Sequence, residues 1–346
     1  MRCACTRRPA APTLEGMTTA TLDTRMLGRT GPAVTSPGMG CMGLSGAYGR
    51  TDDDESIQVI HGYLDAGGTL LDTGDFYGAG HNEQLIARAL RGRDRDDVVL
   101  SVKFGALLAP GRPPAGFDGR PAAVRNSLTY SLQRLGTDHV DIYRPARLDR
   151  SVPIEDTVGA IAELVEQGYV RHIGLSEVGA ETIRRAAAVA PICDLQIEYS
   201  LLSRGIEDEI LATCRELGIG ITAYGVLSRG LIGGSGSIDG GRAMQPRFQG
   251  ANREHNDALV ARLRGLAEAK GASPAQLAIA WVAAQGDDIV PVVGPRRTEQ
   301  VASMIGSTAI RLDGDDLARI DELVPPGSAR GERYPAAFMA DLDSER

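Results

Sequence analysis

Short apolar runs, each closed by a polar or charged residue, alternate along this chain with longer amphipathic stretches. The runs at 69–72, 98–103, 140–143, 172–176, 194–197, 220–224 and 289–293 predict strands, and 36–43 predicts a first one. Helices are predicted over 53–66, 82–90, 121–135, 154–167 and 180–189, the first with Asp53, Asp54 and Glu55 in the turn where the helix dipole favours them. Before them, residues 26–35 with a turn at Thr30-Gly31 read as a short N-terminal β-hairpin. Buried runs such as Asp141-Ile142-Tyr143 show no in-out alternation, which suits parallel strands covered on both faces. About eight strands, nearly all followed by helices, predict an α/β chain folded as a closed (β/α)8 TIM barrel. An open doubly wound sheet has the same periodicity. The barrel is preferred because Asp72, Lys103, Ser176, Gln196 and Tyr224 follow several different strands, as residues of a barrel's top face do.

Composition narrows the work this chain can do. Its 346 residues carry a formal charge of -8, and no basic run with interleaved aromatics is present, which argues against a nucleic-acid surface. Apolar stretches are strand-length, far short of the roughly 20 residues a membrane helix needs. The five cysteines form neither a CxxC pair nor a secreted framework, which predicts reduced thiols in a cytoplasmic protein and no metal site. Residues 1–16 hold Arg and Pro without the apolar core of a secretory signal, and Met17 offers a second, more ordinary start. The expected organisation is a disordered extension over 1–25, one barrel over 26–324 and a tail over 325–346, with no linker dividing the chain.

The densest chemistry lies at Asp72, Tyr77 and Lys103. At the C-terminal ends of neighbouring parallel strands, a carboxylate, a phenol and an ammonium converge. An unperturbed tyrosine titrates near pH ~10, and an adjacent cation is expected to lower that value and make the phenol a general acid. On spacing alone, a strand-end ion pair fits equally well.

At these residues the chain resembles the aldo-keto reductases. Leu71-Asp72-Thr73-Gly74-Asp75-Phe76-Tyr77-Gly78 with Asn82-Glu83 is similar to that family's second-strand signature. Gly174-Leu175-Ser176 with Leu195-Gln196-Ile197-Glu198-Tyr199-Ser200 is similar to its mid-barrel one, and the segment from Cys41 to Gly49 resembles the bacterial and plant branch with pyridoxal reductase-like members. The resemblance, spanning roughly 26–323, implies a barrel that binds NADPH across its C-terminal mouth without a Rossmann motif and reduces a small-molecule carbonyl substrate. By position, Ser176 and Gln196 would hold the nicotinamide carboxamide, Tyr224 would stack on the ring, and Gly225, Leu227 and Arg229 would meet the pyrophosphate. The glycine-rich segment 230–241 would fold over it. Met42 and Gly43 also fall at cofactor positions, and Gly294, Arg296, Arg297 and Gln300 match the segment that grips the adenosine end. The two arginines favour NADPH over NADH.

The chain departs from the family pattern in three places. Glu177 follows Ser176 where Asn is usual, and Met304 stands where Asn is common near the adenine. In Asp141-Ile142-Tyr143-Arg144-Pro145-Ala146-Arg147, Ala146 occupies the position of the family's catalytic histidine. Carbonyl orientation would then fall to water, Arg144 or the substrate itself. Of the histidines, only His81 lies near Tyr77 in sequence. The leading expectation is an NADPH-dependent aldehyde or ketone reductase with Tyr77 as general acid, tuned by Asp72 and Lys103. A non-catalytic NADPH-sensing subunit and an internal-redox isomerase are its rivals.

Overall fold

The computed structural model describes residues 22–110, 115–233 and 240–345. Most of the N-terminal extension read at 1–25, including the whole 1–16 segment, and residues 234–239 of the glycine-rich loop lie outside the described residues. Strands β1 (Asp23–Met26) and β2 (Ala33–Ser36) form the expected antiparallel hairpin. Eight parallel strands follow: β3 (Gly38–Gly40), β4 (Leu70–Gly74), β5 (Val99–Phe104), β6 (Val140–Pro145), β7 (Val170–Ser176), β8 (Ile192–Glu198), β9 (Gly220–Tyr224) and β10 (Ile289–Val293). They close in the order β10-β3-β4-β5-β6-β7-β8-β9, so the barrel and not the open sheet is the fold.

Helices α1 (Asp53–Asp65), α2 (His81–Ala89), α3 (Pro121–Leu135), α4 (Ile154–Glu166) and α5 (Ala180–Ala187) lie where the periodicity predicts them. Beyond these come α6 (Ile210–Leu217), α7 (Gly250–Ala269), α8 (Pro274–Ala284), α9 (Thr298–Gly306), α10 (Gly314–Leu323) and the short α11 (Ala336–Met339) of the tail. One expected strand is divided. The run 36–43 is split by Pro37, which has no N–H to give a ladder; β3 keeps only three residues, and Met42–Ser45 forms a helical turn.

The hairpin seals the N-terminal end of the barrel. Leu27 and Val34 pack with Leu70, Ile142, Cys193, Val290 and Val292 in an apolar cluster separate from the one beneath the helices. Arg25 Nη1 donates to the carbonyls of Gly286 (2.8 Å) and Ile289 (2.5 Å). At Gly28 the chain adopts φ +64° and a Cβ would lie 2.4 Å from the Cys193 carbonyl, so only glycine lets the hairpin approach this closely.

Above this apolar floor the barrel interior turns polar. Arg144 is fully buried, with Nη1 3.0 Å from Asp194 Oδ2 and 3.1 Å from Thr222 Oγ1, and Nη2 donating to Ser101 Oγ at 3.0 Å. Gly174 makes room for the pair, since a Cβ there would meet Asp194 Oδ1 at 2.7 Å. Losing one member of such a pair typically costs about 3–5 kcal/mol, because the other is left charged and alone. The ion pair fixes β6 against β8, Thr222 ties it to β9, and both terminal nitrogens of the fully buried Arg144 are engaged, while its Nε has no partner among the described residues. That removes Arg144 from the list of groups able to orient a substrate.

Candidate active site

Parallel register sets Asp72 level with Ser101, Lys103 level with Arg144, and Gln196 level with Ser176 and Thr222. Asp72 consequently receives three hydrogen bonds: from Lys103 Nζ (2.6 Å), Ser101 Oγ (2.9 Å) and Gln196 Nε2 (2.8 Å). An ionised carboxylate only accepts, so the NH2 of Gln196 must face it and the amide oxygen is left for another partner. Ser101 and Thr222 link this cluster to the Arg144–Asp194 pair, giving one continuous polar layer through the barrel. Burial lowers the Lys103 pKa, against the opposing pull of Asp72.

Tyr77 reaches this layer from the loop after β4. Gly78, Ala79 and Gly80 all have positive φ (58°, 53° and 92°), a left-handed run that costs a non-glycine residue such as Ala79 roughly 1 kcal/mol or more. The loop is held by Asn82 Nδ2, which donates to the Cys41 carbonyl (2.9 Å) and Ser45 Oγ (2.7 Å), and by Thr73 Oγ1, which donates to Asn82 Oδ1 (2.7 Å). Lys103 Nζ lies 5.1 Å from the Tyr77 ring centroid, and the Tyr77 hydroxyl has no hydrogen-bond partner among the described residues. The expectation that Lys103 lowers the phenol pKa is not met. Burial pushes Tyr77 well above its ordinary value, with Asp72 and Tyr48 adding and Arg147 opposing. The phenol is therefore protonated, the form that can donate.

A second anchor lies on the opposite wall. Glu177, fully buried with φ +52°, accepts from Arg333 through both its oxygens (3.0 and 2.9 Å), from the Tyr224 hydroxyl (2.6 Å) and from Ser344 Oγ (2.7 Å). Its desolvation, which raises the pKa, is outweighed by Arg333, so the carboxyl is held well below its usual range. Arg333 also reaches Glu198 Oε2 at 3.2 Å and Glu345 Oε1 at 2.5 Å. The tail thereby crosses the barrel mouth. Tyr334, behind Arg333, has its hydroxyl 3.0 Å from that of Tyr224 and accepts from Arg147 Nη2 at 3.3 Å, while Arg229 stacks 4.0 Å from its ring centroid.

The remaining residues singled out from sequence divide between the mouth and its rim. Ser176 Oγ is buried and unsatisfied among the described residues, beside Gln196. Gly225 follows β9 at φ +68°, Leu227 follows it, and Arg229 turns to Glu198 (3.4 Å) and the Arg333 carbonyl (2.9 Å). Gly43 meets the residues before α9, where a Cβ on it would lie 3.2 Å from Arg296 Cγ, and Met42 beside it is exposed. Arg296 itself is committed to the carbonyls of Tyr48 (2.6 Å) and Arg50 (2.9 Å), and Gln300 Oε1 accepts its backbone N–H. Exposed Gly294 and Arg297 flank it, Arg297 with nothing nearer in charge than Glu299 at 4.0 Å. Met304 is buried in the core.

No histidine reaches the mouth. His81 opens α2 but turns outward to Ser45 and Asp53, His61 bonds the Ala89 carbonyl, and His255 bonds that of Ser328. His139 precedes β6 beside Asp138, and His172 lies near the start of β7. The tail salt bridge and Arg147 were missed from sequence. Glu177 was visible only as a departure, and nothing in the tail's pattern pointed to Arg333 as its partner.

The family model described as Aldo/keto reductase family matches residues 38–325. The probable aldo-keto reductase 1 of Glycine max is 43% identical over 324 residues, covering 92% of this chain and 93% of that protein. Among solved structures, the glycerol dehydrogenase of Gluconobacter oxydans superposes with a TM-score of 0.79 at 26% identity, covering 91% of this chain and 98% of that one. An aldo-keto reductase of Bacillus halodurans, solved in its holo form, gives 0.74 at 25% identity over 88% of this chain and 96% of that one.

Beside Tyr77, Asp75 carries a testable pH dependence. Its Oδ2 accepts from the Gly105 N–H at 3.3 Å, while Oδ1 is buried without a partner among the described residues. Burial pushes its carboxyl up to about 7, with Glu83 adding and the Gly105 amide and Arg134 opposing. Between about pH 4 and that value the folded chain keeps a proton the unfolded chain has released, so this group's contribution to stability falls as pH rises through the window. Replacing Asp75 by Asn removes the fall. The melting temperature of Asp75→Asn relative to the native protein should therefore climb between about pH 4 and pH 8; a difference that stays constant over that range would contradict the assignment.

Proposed function

The chain belongs to the aldo/keto reductase family, and from that premise we propose that it reduces an aldehyde or ketone to the alcohol with NADPH, using Tyr77 as the proton donor. Membership carries oxidoreductase activity on carbonyl compounds with a nicotinamide cofactor. The finer reading rests on one observation above the others: a protonated phenol with an uncommitted hydroxyl stands over a buried Lys103–Asp72 pair.

The pocket beside it suits the cofactor. A buried Ser176 hydroxyl that no protein group satisfies, next to a Gln196 whose amide oxygen is spare, matches a carboxamide, with the serine donating to its carbonyl and the glutamine accepting from its NH2. Tyr224 packs against the ring, and its hydroxyl is held by Glu177. Gly225, Leu227 and Arg229 serve the pyrophosphate. Met42, Gly43, Gly294, Arg296, Arg297 and Gln300 frame the adenosine end. When bound, the reduced nicotinamide supplies the hydride.

Tyr77 gives its proton to the carbonyl oxygen as negative charge develops there, and Lys103 stabilises the phenolate left behind. Asp72 keeps Lys103 charged and in place. Position 146 offers only a methyl group where the family pattern has a hydrogen-bond donor. Losing one such donor typically costs on the order of 10²- to 10³-fold in rate, so generic aldehydes should be slow substrates.

Tyr77→Phe keeps the ring and removes the proton. Its turnover, read by NADPH absorbance, should drop by ~10³-fold or more with NADPH affinity nearly unchanged. Near-normal turnover would remove Tyr77 from the chemistry, and binding without net NADPH consumption in the native protein would favour the sensor or isomerase reading.

NADPH should also bind at least ~10-fold more tightly than NADH, a difference of about 1.4 kcal/mol. Arg297 is the exposed guanidinium at the α9 start, where free backbone N–H groups add to it. Fluorescence titration of the two cofactors checks this, and Arg297→Ala should narrow the gap. Equal affinities in the native protein would refute it.

A further inference from the structure

Arg147 stands out among the arginines of the barrel mouth. Arg144 has Asp194 at 3.0 Å, Arg333 has Glu177 at 2.9 Å, Arg229 has Glu198 at 3.4 Å and Arg247 has Glu198 at 3.8 Å. Arg147, half-buried in the same place, has no carboxylate within 4.0 Å among the described residues. Its bonds go to two neutral oxygens, the Ala146 carbonyl (2.6 Å, from Nη1) and the Tyr334 hydroxyl (3.3 Å, from Nη2). Glu177 acts on this guanidinium only from beyond 4.0 Å, and two neutral oxygens use only part of its five N–H donors, so the fork keeps capacity for an anion.

The surroundings say where that charge would come from. Arg147 is close enough to Tyr77 to act on its phenol, and Tyr224 and Tyr334 stand beside it, the latter with its ring centroid 6.0 Å from the guanidinium. The setting shared by proton donor and cation is thus aromatic. A ligand suited to it has a carbonyl at one end, a flat apolar body and an anion at the other. A guanidinium fork matches a carboxylate through two parallel hydrogen bonds, which an ammonium cannot reproduce.

We infer that Arg147 is the substrate-binding cation of this site, and that the preferred substrates are aldehydes or ketones carrying a carboxylate. The inference rests on the carbonyl reductase reading above. It also accounts for Ala146: with the far end of the substrate held by a charged fork, the carbonyl is oriented from a distance.

The test uses the full chain with NADPH and a matched pair of probes, para-carboxybenzaldehyde and its methyl ester. The native protein should favour the acid by ~10-fold or more in kcat/KM, mainly through KM. Arg147→Met should bring the ratio close to one, and Arg147→Lys should keep part of it. Benzoate should inhibit the native protein competitively against the aldehyde and lose that effect in Arg147→Met, a readout that needs no turnover of the acid. A native protein that treats acid and ester alike and ignores benzoate overturns the inference without any variant, whatever Arg147→Met does to folding. Weaker NADPH binding in Arg147→Met with the acid preference intact also overturns it, because the cation would then serve the cofactor. Tyr77→Phe separates the two levels of argument: if it is inactive on both probes while Arg147→Met keeps the preference, only the role of Arg147 fails.

Discussion

A carboxylate inside a barrel must have its charge answered, and Asp72 is answered by three donors from two other strands. Lys103 and Ser101 come from the neighbouring β5 and Gln196 from β8, across the barrel from β4. Each bond fixes a group with a second task. Lys103 is held under the Tyr77 ring, Gln196 is oriented so that its amide oxygen is spare, and Ser101 passes the network on to Arg144. Gly174 gives up its side chain to make room for the Arg144–Asp194 pair in this layer. The hairpin's apolar floor keeps water from the other end.

The mouth is completed by a segment outside the eight repeats. Arg333 inserts between Glu177 and Glu198, two carboxylates that would repel each other without it, and draws Tyr334 over the site. The position where an Asn is usual in the family thus carries a charge that is spent on the tail. Tyr224 gains a fixed acceptor for its hydroxyl from the same group. Tyr224 and the tail are therefore parts of one hydrogen-bonded unit.

Much of this was legible in the chain. Ser176 and Tyr224 do end their strands, while Asp72, Lys103 and Gln196 lie one or two residues inside the C-terminal ends of theirs; all five could be placed because parallel strands buried on both faces leave continuous apolar runs in which polar residues stand out. The first barrel strand was misjudged because Pro37, Gly38 and Gly40 interrupt an apolar run without marking which side of the proline joins the barrel. Arg144 looked available from its place in β6, yet only contacts across the barrel reveal Asp194 as its partner. The Tyr77 phenol was expected to be acidified by Lys103. Sequence shows that a cation is near but not that burial of the phenol is the larger effect. The Glu177–Arg333 pair joins residues far apart along the chain with no periodicity between them, so no local pattern could announce it.

The central claim is that one carboxylate organises both the proton donor and the pocket next to it. Asp72→Asn is nearly isosteric and tests it directly, with NADPH affinity and carbonyl turnover measured on the same preparation. The account predicts that both fall together: turnover by on the order of 10²-fold or more as Lys103 loses its counter-charge, and affinity by several-fold as Gln196 loses the acceptor that orients it. Loss of turnover with cofactor affinity unchanged would show that Asp72 serves the proton donor alone and would contradict the account.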